Sequence, residues 1–135
     1  MPNCNSSELY RGILFDKGHT VFNGKVFVRP DAQKTNAFQQ NNNLLLSDKA
    51  VVDSQPQLEI FADDVKCSHG STVGQLNDEA LFYLKTRGIS EEVANRLLIE
   101  AFTHDVHSQI NISELREYIG TLLQSKLQKE NLEVA

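Results

Sequence analysis

Two cysteines in 135 residues are too few for a disulfide framework, and they sit in unlike surroundings, Cys4 in a polar stretch and Cys67 in a strand-like one. A reducing compartment is the expectation. Long hydrophobic runs are also missing: the longest, such as Leu44 to Leu46, fall far short of a bilayer crossing, and no basic-then-apolar leader precedes them. A soluble protein with no membrane partner is expected. Positive charge is scarce, with 13 Lys and Arg against 18 Asp and Glu and a net charge of −5, which argues against nucleic acid as the main partner. The chain has no phosphate-cradling glycine loop with a lysine, so ATP hydrolysis does not reside here. Nor does any serine or cysteine sit in a recognisable nucleophile motif, and a non-enzyme is expected.

An apolar content of 40% is enough for a packed core, and the length fits one compact domain or a small domain with an appendage. Acidity is concentrated late: eight acids face seven bases through Asn77, and ten acids face six bases beyond it.

The stretch Leu58 to Ile89 changes period in mid-run, strand-like up to Gly74 and helical from Asn77. Upstream, Leu44, Val51, Leu58, Val65 and Thr72 recur every seven residues between polar or turn-prone neighbours. If two such short strands make one turn of a flattened solenoid, every fourteenth residue stacks. Leu44 then lies under Leu58 under Thr72, and Val51 under Val65, at the strand spacing of ~4.8 Å. Gly12, Gly18, Gly24 and Gly70 are candidates for corners at positive φ, and Asn41, Asn42 and Asn43 for turns. Periodicity alone allows an antiparallel sandwich equally well.

Three helices have readable ends. Asn77 caps the first, with Asp78 and Glu79 at its positive end and Gly88 as its stop. Ser90 caps the second, on which Val93, Leu97 and Ala101, with Ala94 and Leu98, make one apolar stripe. Asn111 and Glu114 mark the start of a third, carrying Leu115, Ile119, Leu122, Leu123 and Leu127 on one face and running to Lys126-Leu127-Gln128-Lys129-Glu130. Such stripes serve as a small bundle core or as a docking face for a partner.

In an extended strand Val65, Cys67 and His69 share one side, and Lys66 and Ser68 the other. Taken alone, Cys67 reads as a small buried hydrophobe and His69, before Gly70 at a strand end, as a histidine able to reach the rim. His104 and His107, three apart on a helix, lack an evident third ligand. Asp63 and Asp64 read as solvated or backbone-bonded turn acids.

Several ordered blocks carry a further signal: Val28-Arg29-Pro30-Asp31-Ala32-Gln33-Lys34-Thr35, Asn43-Leu44-Leu45-Leu46-Ser47, Pro56-Gln57-Leu58-Glu59-Ile60, Ala62-Asp63-Asp64-Val65-Lys66-Cys67-Ser68-His69-Gly70, and Ala80-Leu81-Phe82-Tyr83-Leu84 followed by Arg87-Gly88-Ile89. Together they resemble the C-terminal portion of the SufB/SufD family of iron–sulfur cluster assembly scaffold proteins, closer to the SufD branch, over about Tyr10 to Phe102. Family members are several times longer, so the resemblance implies a C-terminal fragment in which Met1 is an internal methionine or an artificial start.

The resemblance implies the last turns of a right-handed parallel β-helix over residues 1–76 and a helical domain over 77–135. It implies a scaffold role with SufB and the SufC ATPase, in bacterial cytoplasm or plastid stroma. His69, and with it Cys67, are the implied contributors to cluster assembly, and His69 the implied metal ligand. One Cys and one His leave iron short of four ligands, so the cluster is expected to be transient and shared with SufB, with none bound to this chain alone. Leu81, Leu84, Leu97, Leu98 and Ala101 are the expected partner-binding residues on the helices. Missing turns before Tyr10 leave an open end to be covered by the N-terminal tail or by a second copy. The rival expectations are a purely structural SufC adaptor with an inert His69, and a small metal-dependent enzyme using His69 with His104 or His107.

Overall fold

The computed structural model describes residues 1–129. Residues 130–135, the end of the expected C-terminal helical domain, lie outside the described residues.

Five strands come first: β1 (Asn5–Leu14), β2 (His19–Val28), β3 (Asn36–Leu45), β4 (Val51–Ile60) and β5 (Lys66–Gly74). They alternate between two sheets, ordered β1-β3-β5 and β2-β4, and every pairing is parallel. An antiparallel sandwich is thereby excluded. Helices α1 (Asp78–Thr86), α2 (Glu91–His107) and α3 (Ser113–Lys129) follow.

The stacking interval is not fourteen. Asn5 pairs with Asn36 at an offset of 31 residues, His19 with Val51 at 32, and Asn36 with Lys66 at 30. Most strands run ten residues, and a strand plus its turn takes about fifteen. What recurs near fourteen is therefore half a circuit, and the expected stack separates: Leu44 lies beside Ile13 and Gly74 in one sheet, Leu58 beside Val26 and Val51 beside His19 in the other.

Corners are made by other residues than expected. Gly12, Gly24 and Gly70 lie inside strands, and among non-glycine residues Asn3, Asp16 and Lys34 take positive φ. Of the four glycines only Gly18 is in a turn, its N–H donating to Phe15 O at 2.8 Å, without positive φ. Gly24 has a packing reason: a Cβ there would stand 2.6 Å from Phe22 Cζ and 2.7 Å from Gln39 Oε1. At Gly12 a Cβ would run into Asn43 Oδ1.

Asn41, Asn42 and Asn43 are strand residues of β3, not turn residues. Asn41 and Asn43 are buried on the face turned toward the second sheet, where Asn41 Nδ2 donates to Ser54 Oγ at 3.0 Å and Ser71 Oγ lies 2.7 Å from the same atom. Tyr10 and Phe22 pack across the same interior, ring centroids 4.8 Å apart. The space between the sheets is thus mixed, part aromatic and aliphatic, part hydrogen-bonded.

The N-terminal residues do not fold over an open end. They extend the first sheet, Asn3 N–H donating to Gln33 O and Asn36 N–H to Cys4 O, so the outer edge of β1 stays unpaired among the described residues.

The helix ends agree with the local signals. Asn77 Oδ1 accepts from Ala80 N–H at 2.8 Å, Ser90 Oγ accepts from Val93 N–H at 3.4 Å, and Gly88 closes α1 at φ 84°. The third helix starts at Ser113, two residues beyond Asn111. Of the expected stripe on α2, Ala94 is buried and Val93 and Leu98 are half-buried, but Leu97 and Ala101 are exposed, and Asn95 and Ile99 are buried instead. Ile99 sits with Leu44 and Leu127 in the core, flanked by Ile13, Phe15, Leu46, Leu76 and Phe102. The C-terminal ends of β1 and β3 therefore choose which helix face is buried, and complete burial of Ile99 contributes on the order of 2–3 kcal/mol.

Candidate functional site

Cys67 and His69 lie on β5, the last strand of its sheet. Residues paired side by side in parallel strands point to the same face. Cys67 pairs with Ala37 and His69 with Gln39, and Gln39 in turn pairs with Glu8. This is the face that Asn41 and Ser71 share, turned toward the second sheet. That sheet ends at β4, whose Ser54 reaches Ser71 of β5, and the outer edge of β5 is unpaired among the described residues.

The inward face of β5 is nevertheless largely exposed, a lip at the edge of its sheet. Cys67 is half-buried there and His69 is exposed, while Lys66 and Ser68 take the other side. Alternation within a strand and the position before Gly70 brought the thiol and imidazole to one side at a rim, as expected. Below His69 the column turns inward: Gln39 is 1% exposed, its Nε2 donates to Glu8 Oε2 at 2.8 Å, and its Oε1 has no hydrogen-bond partner among the described residues. Gln39 and Glu8 were missed from sequence because nothing local reveals a spacing of 31 and then 30 residues.

The helical histidines do not join this lip. His107 Nε2 lies 2.7 Å from Arg116 O, tying α2 to α3, and His104 is exposed. Among the described residues no three His, Cys, Asp or Glu side chains gather as a metal site, so Cys67, His69 and a helical histidine do not form a three-ligand centre. A cysteine sulfur and an imidazole nitrogen are donor types that iron accepts. Among the described residues no helix is long and apolar enough to cross a membrane.

On the helices the expected partner-binding side chains fall into two groups. Leu81, Leu84 and Leu98 are half-buried, and Leu97 and Ala101 face outward. Phe82 and Tyr83 of α1 are more exposed still, and α1 buries none of its residues. Leu97 also borders a groove of about 370 Å³ between α2 and α3, with Arg96, Glu100 and Leu127 among its walls.

The sequence profile described as SUF system FeS cluster assembly, SufBD core domain, matches residues 1–102, all five strands and most of α2. The chain belongs to the SufB/SufD family. Among curated members, it is 47% identical over 116 residues to the iron-sulfur cluster assembly protein SufD of Escherichia coli (strain K12), covering 86% of this chain and 27% of that protein. An iron-sulfur cluster assembly SufBD family protein of Synechocystis is 44% identical over 115 residues, covering 85% of this chain and 25% of the relative. The protein named ABCI7, chloroplastic, of Arabidopsis thaliana is 42% identical over 117 residues, with 86% and 25% covered. The chain thus spans about a quarter of the length of these relatives. Within the SufB/SufD family it is SufD-like, as the Ser68-His69-Gly70 and Phe82-Tyr83-Leu84 blocks imply.

Proposed function

We propose that this chain is the C-terminal part of a SufD-type scaffold, a non-catalytic subunit that supports iron–sulfur cluster assembly with SufB and binds the SufC ATPase. On this reading residues 1–76 are the last turns of a right-handed parallel β-helix and 77–135 a helical domain. The observation that carries it is the exposed His69 beside the half-buried Cys67 on the inward face of β5, at the unpaired edge of its sheet among the described residues. His69, joined by Cys67, offers ligands to a growing cluster whose other ligands come from SufB. The cluster is cargo, shared and released, and imidazole is a more labile ligand to it than thiolate.

Leu81, Leu84, Leu97, Leu98 and Ala101 are the proposed grip on SufC. The exposed Leu97 and Ala101 support this, since the core claims the opposite side of α2. The setting is bacterial cytoplasm or plastid stroma, in keeping with the relatives from bacteria and from a plant.

The test is reconstitution with SufB and SufC, followed by anaerobic addition of iron and sulfide, comparing the unaltered chain with His69→Ala. Loss of cluster delivery with the complex intact is expected. Delivery unimpaired by His69→Ala would instead favour a purely structural SufC adaptor. Light scattering on the isolated chain tests self-association along the unpaired edge of β1, a monomer counting against it.

A further inference from the structure

We propose that Gln39 is a positioning residue for His69, accepting a ring N–H on its buried Oε1 so that the other ring nitrogen keeps its lone pair for iron. The inference rests on the reading of His69 as a cluster ligand and adds what orients it.

Three in-register residues, Glu8, Gln39 and His69, stack on the inward face of the first sheet. Gln39 is fixed from below: its Nε2 donates to Glu8 Oε2 at 2.8 Å, which sets the carboxamide's donor end toward β1. Its acceptor end is left over, buried and unmatched by any donor among the described residues. Buried carbonyls of this kind are nearly always satisfied. The neighbour one strand up is an imidazole, which in its neutral form carries one N–H and one lone pair. His69 is exposed on the edge strand of its sheet and in register with Gln39, so an inward rotamer turns its ring toward the Gln39 carboxamide.

The chemistry of the pair follows from this. A histidine that ligates a metal through one nitrogen usually donates the other N–H to a fixed acceptor, which selects the tautomer and aims the lone pair. The carboxylate of Glu8 polarises the Gln39 amide from behind and so makes its oxygen a better acceptor. Gly24 completes the arrangement from the second sheet: a Cβ there would stand 2.7 Å from Oε1, and its absence leaves the carboxamide its place.

The experiment is NMR of the isolated, iron-free chain with ¹⁵N-labelled histidine, reading the His69 ring nitrogens at a pH where the ring is neutral. The expected result is a tautomer ratio about fivefold from that of free histidine, the shift that one hydrogen bond of ~1 kcal/mol produces. A scalar coupling from the donating ring nitrogen to the Gln39 carboxamide carbon should accompany it. In Gln39→Met, which keeps the side-chain length, the ratio should return to the free value while the amide spectrum stays native. A free-histidine ratio in the unaltered chain overturns the proposal, as does a biased ratio that Gln39→Met leaves unmoved. Should Gln39→Met fail to fold, the coupling in the unaltered chain decides, its absence counting against Gln39. The measurement involves neither iron nor partners, so an inert His69 in cluster delivery and a missing Gln39 bond are separate outcomes.

Discussion

Arg11 Nη2 on β1 lies 3.0 Å from Asp105 Oδ2 near the end of α2, and this ion pair ties the first strand to the helical segment. The two partners are unequally placed, the Arg11 side chain 9% exposed and that of Asp105 65%. The guanidinium also lies over the Phe102 ring, 5.5 Å from its centroid. Arg11 is held by its stem and its stacking as much as by its charge.

Arg11→Ala should therefore cost about 2 kcal/mol, and Asp105→Ala about 1, after allowance for solvent screening of the half-exposed pair. Arg11→Met, keeping the stem, should fall between them. Urea unfolding measures each, and a double-mutant cycle should return a coupling of about 0.5–1 kcal/mol. Strict additivity would mean that the two side chains do not interact.

Ile99→Ala should be severe, on the order of 3–4 kcal/mol, because its side chain is fully buried against Leu44 and Leu127 and a cavity would remain. Leu97→Ala, two positions away and 40% exposed, should change stability by less than about 0.5 kcal/mol. Loss of SufC binding by Leu97→Ala without loss of stability is the pattern expected of a contact residue.

Two strand glycines should respond oppositely. Gly24→Ala should destabilise by about 1–3 kcal/mol, since its Cβ would crowd Phe22 and Gln39 in the interior. Gly70→Ala meets nothing within 4 Å, and by stiffening the unfolded chain should be neutral or stabilising by a few tenths of a kcal/mol. Thermal unfolding of both distinguishes them; equal losses would refute the packing account of Gly24.

The Glu114 carboxyl, at the start of α3, is held below the ordinary glutamate range first by a backbone N–H of its own residue and then by the Ser113 hydroxyl, 3.0 Å away. A depressed folded-state value means that its contribution is fully present above the unfolded-state value and is lost as pH falls through the folded one. Helicity of α3 should accordingly weaken on acidification below the usual glutamate range, not on raising pH. Carbon-detected titration of Glu114 should show Ser113→Ala moving its midpoint upward.

What could be read from sequence was what is decided locally. Asn77, Ser90 and Gly88 act within one helical turn, so the ends of α1 and the start of α2 were legible. The side shared by Cys67 and His69 was legible too, since strand alternation needs no knowledge of neighbours. Stacking was not: pairing Leu44 with Gly74 depends on how long a whole circuit is, and turn lengths hide that. The buried side of α2 was misjudged for a similar reason, because Leu97 and Ile99 are equally apolar and only the sheet ends beneath choose Ile99. Gly12 and Gly24 look like corner residues to any local rule, yet serve to let side chains pass.

The register of the two sheets also restricts how chains of this kind can change in length. Adding or removing one residue within a strand would swap its two sides, in β3 sending Gln39 and Asn41 to water and Phe38, Gln40 and Asn42 inward. Additions confined to the bends are absorbed there, which the unequal circuits of 31, 32 and 30 residues already display. Divergence by insertion is thus channelled into the bends or into complete circuits, each raising the stack by about 4.8 Å.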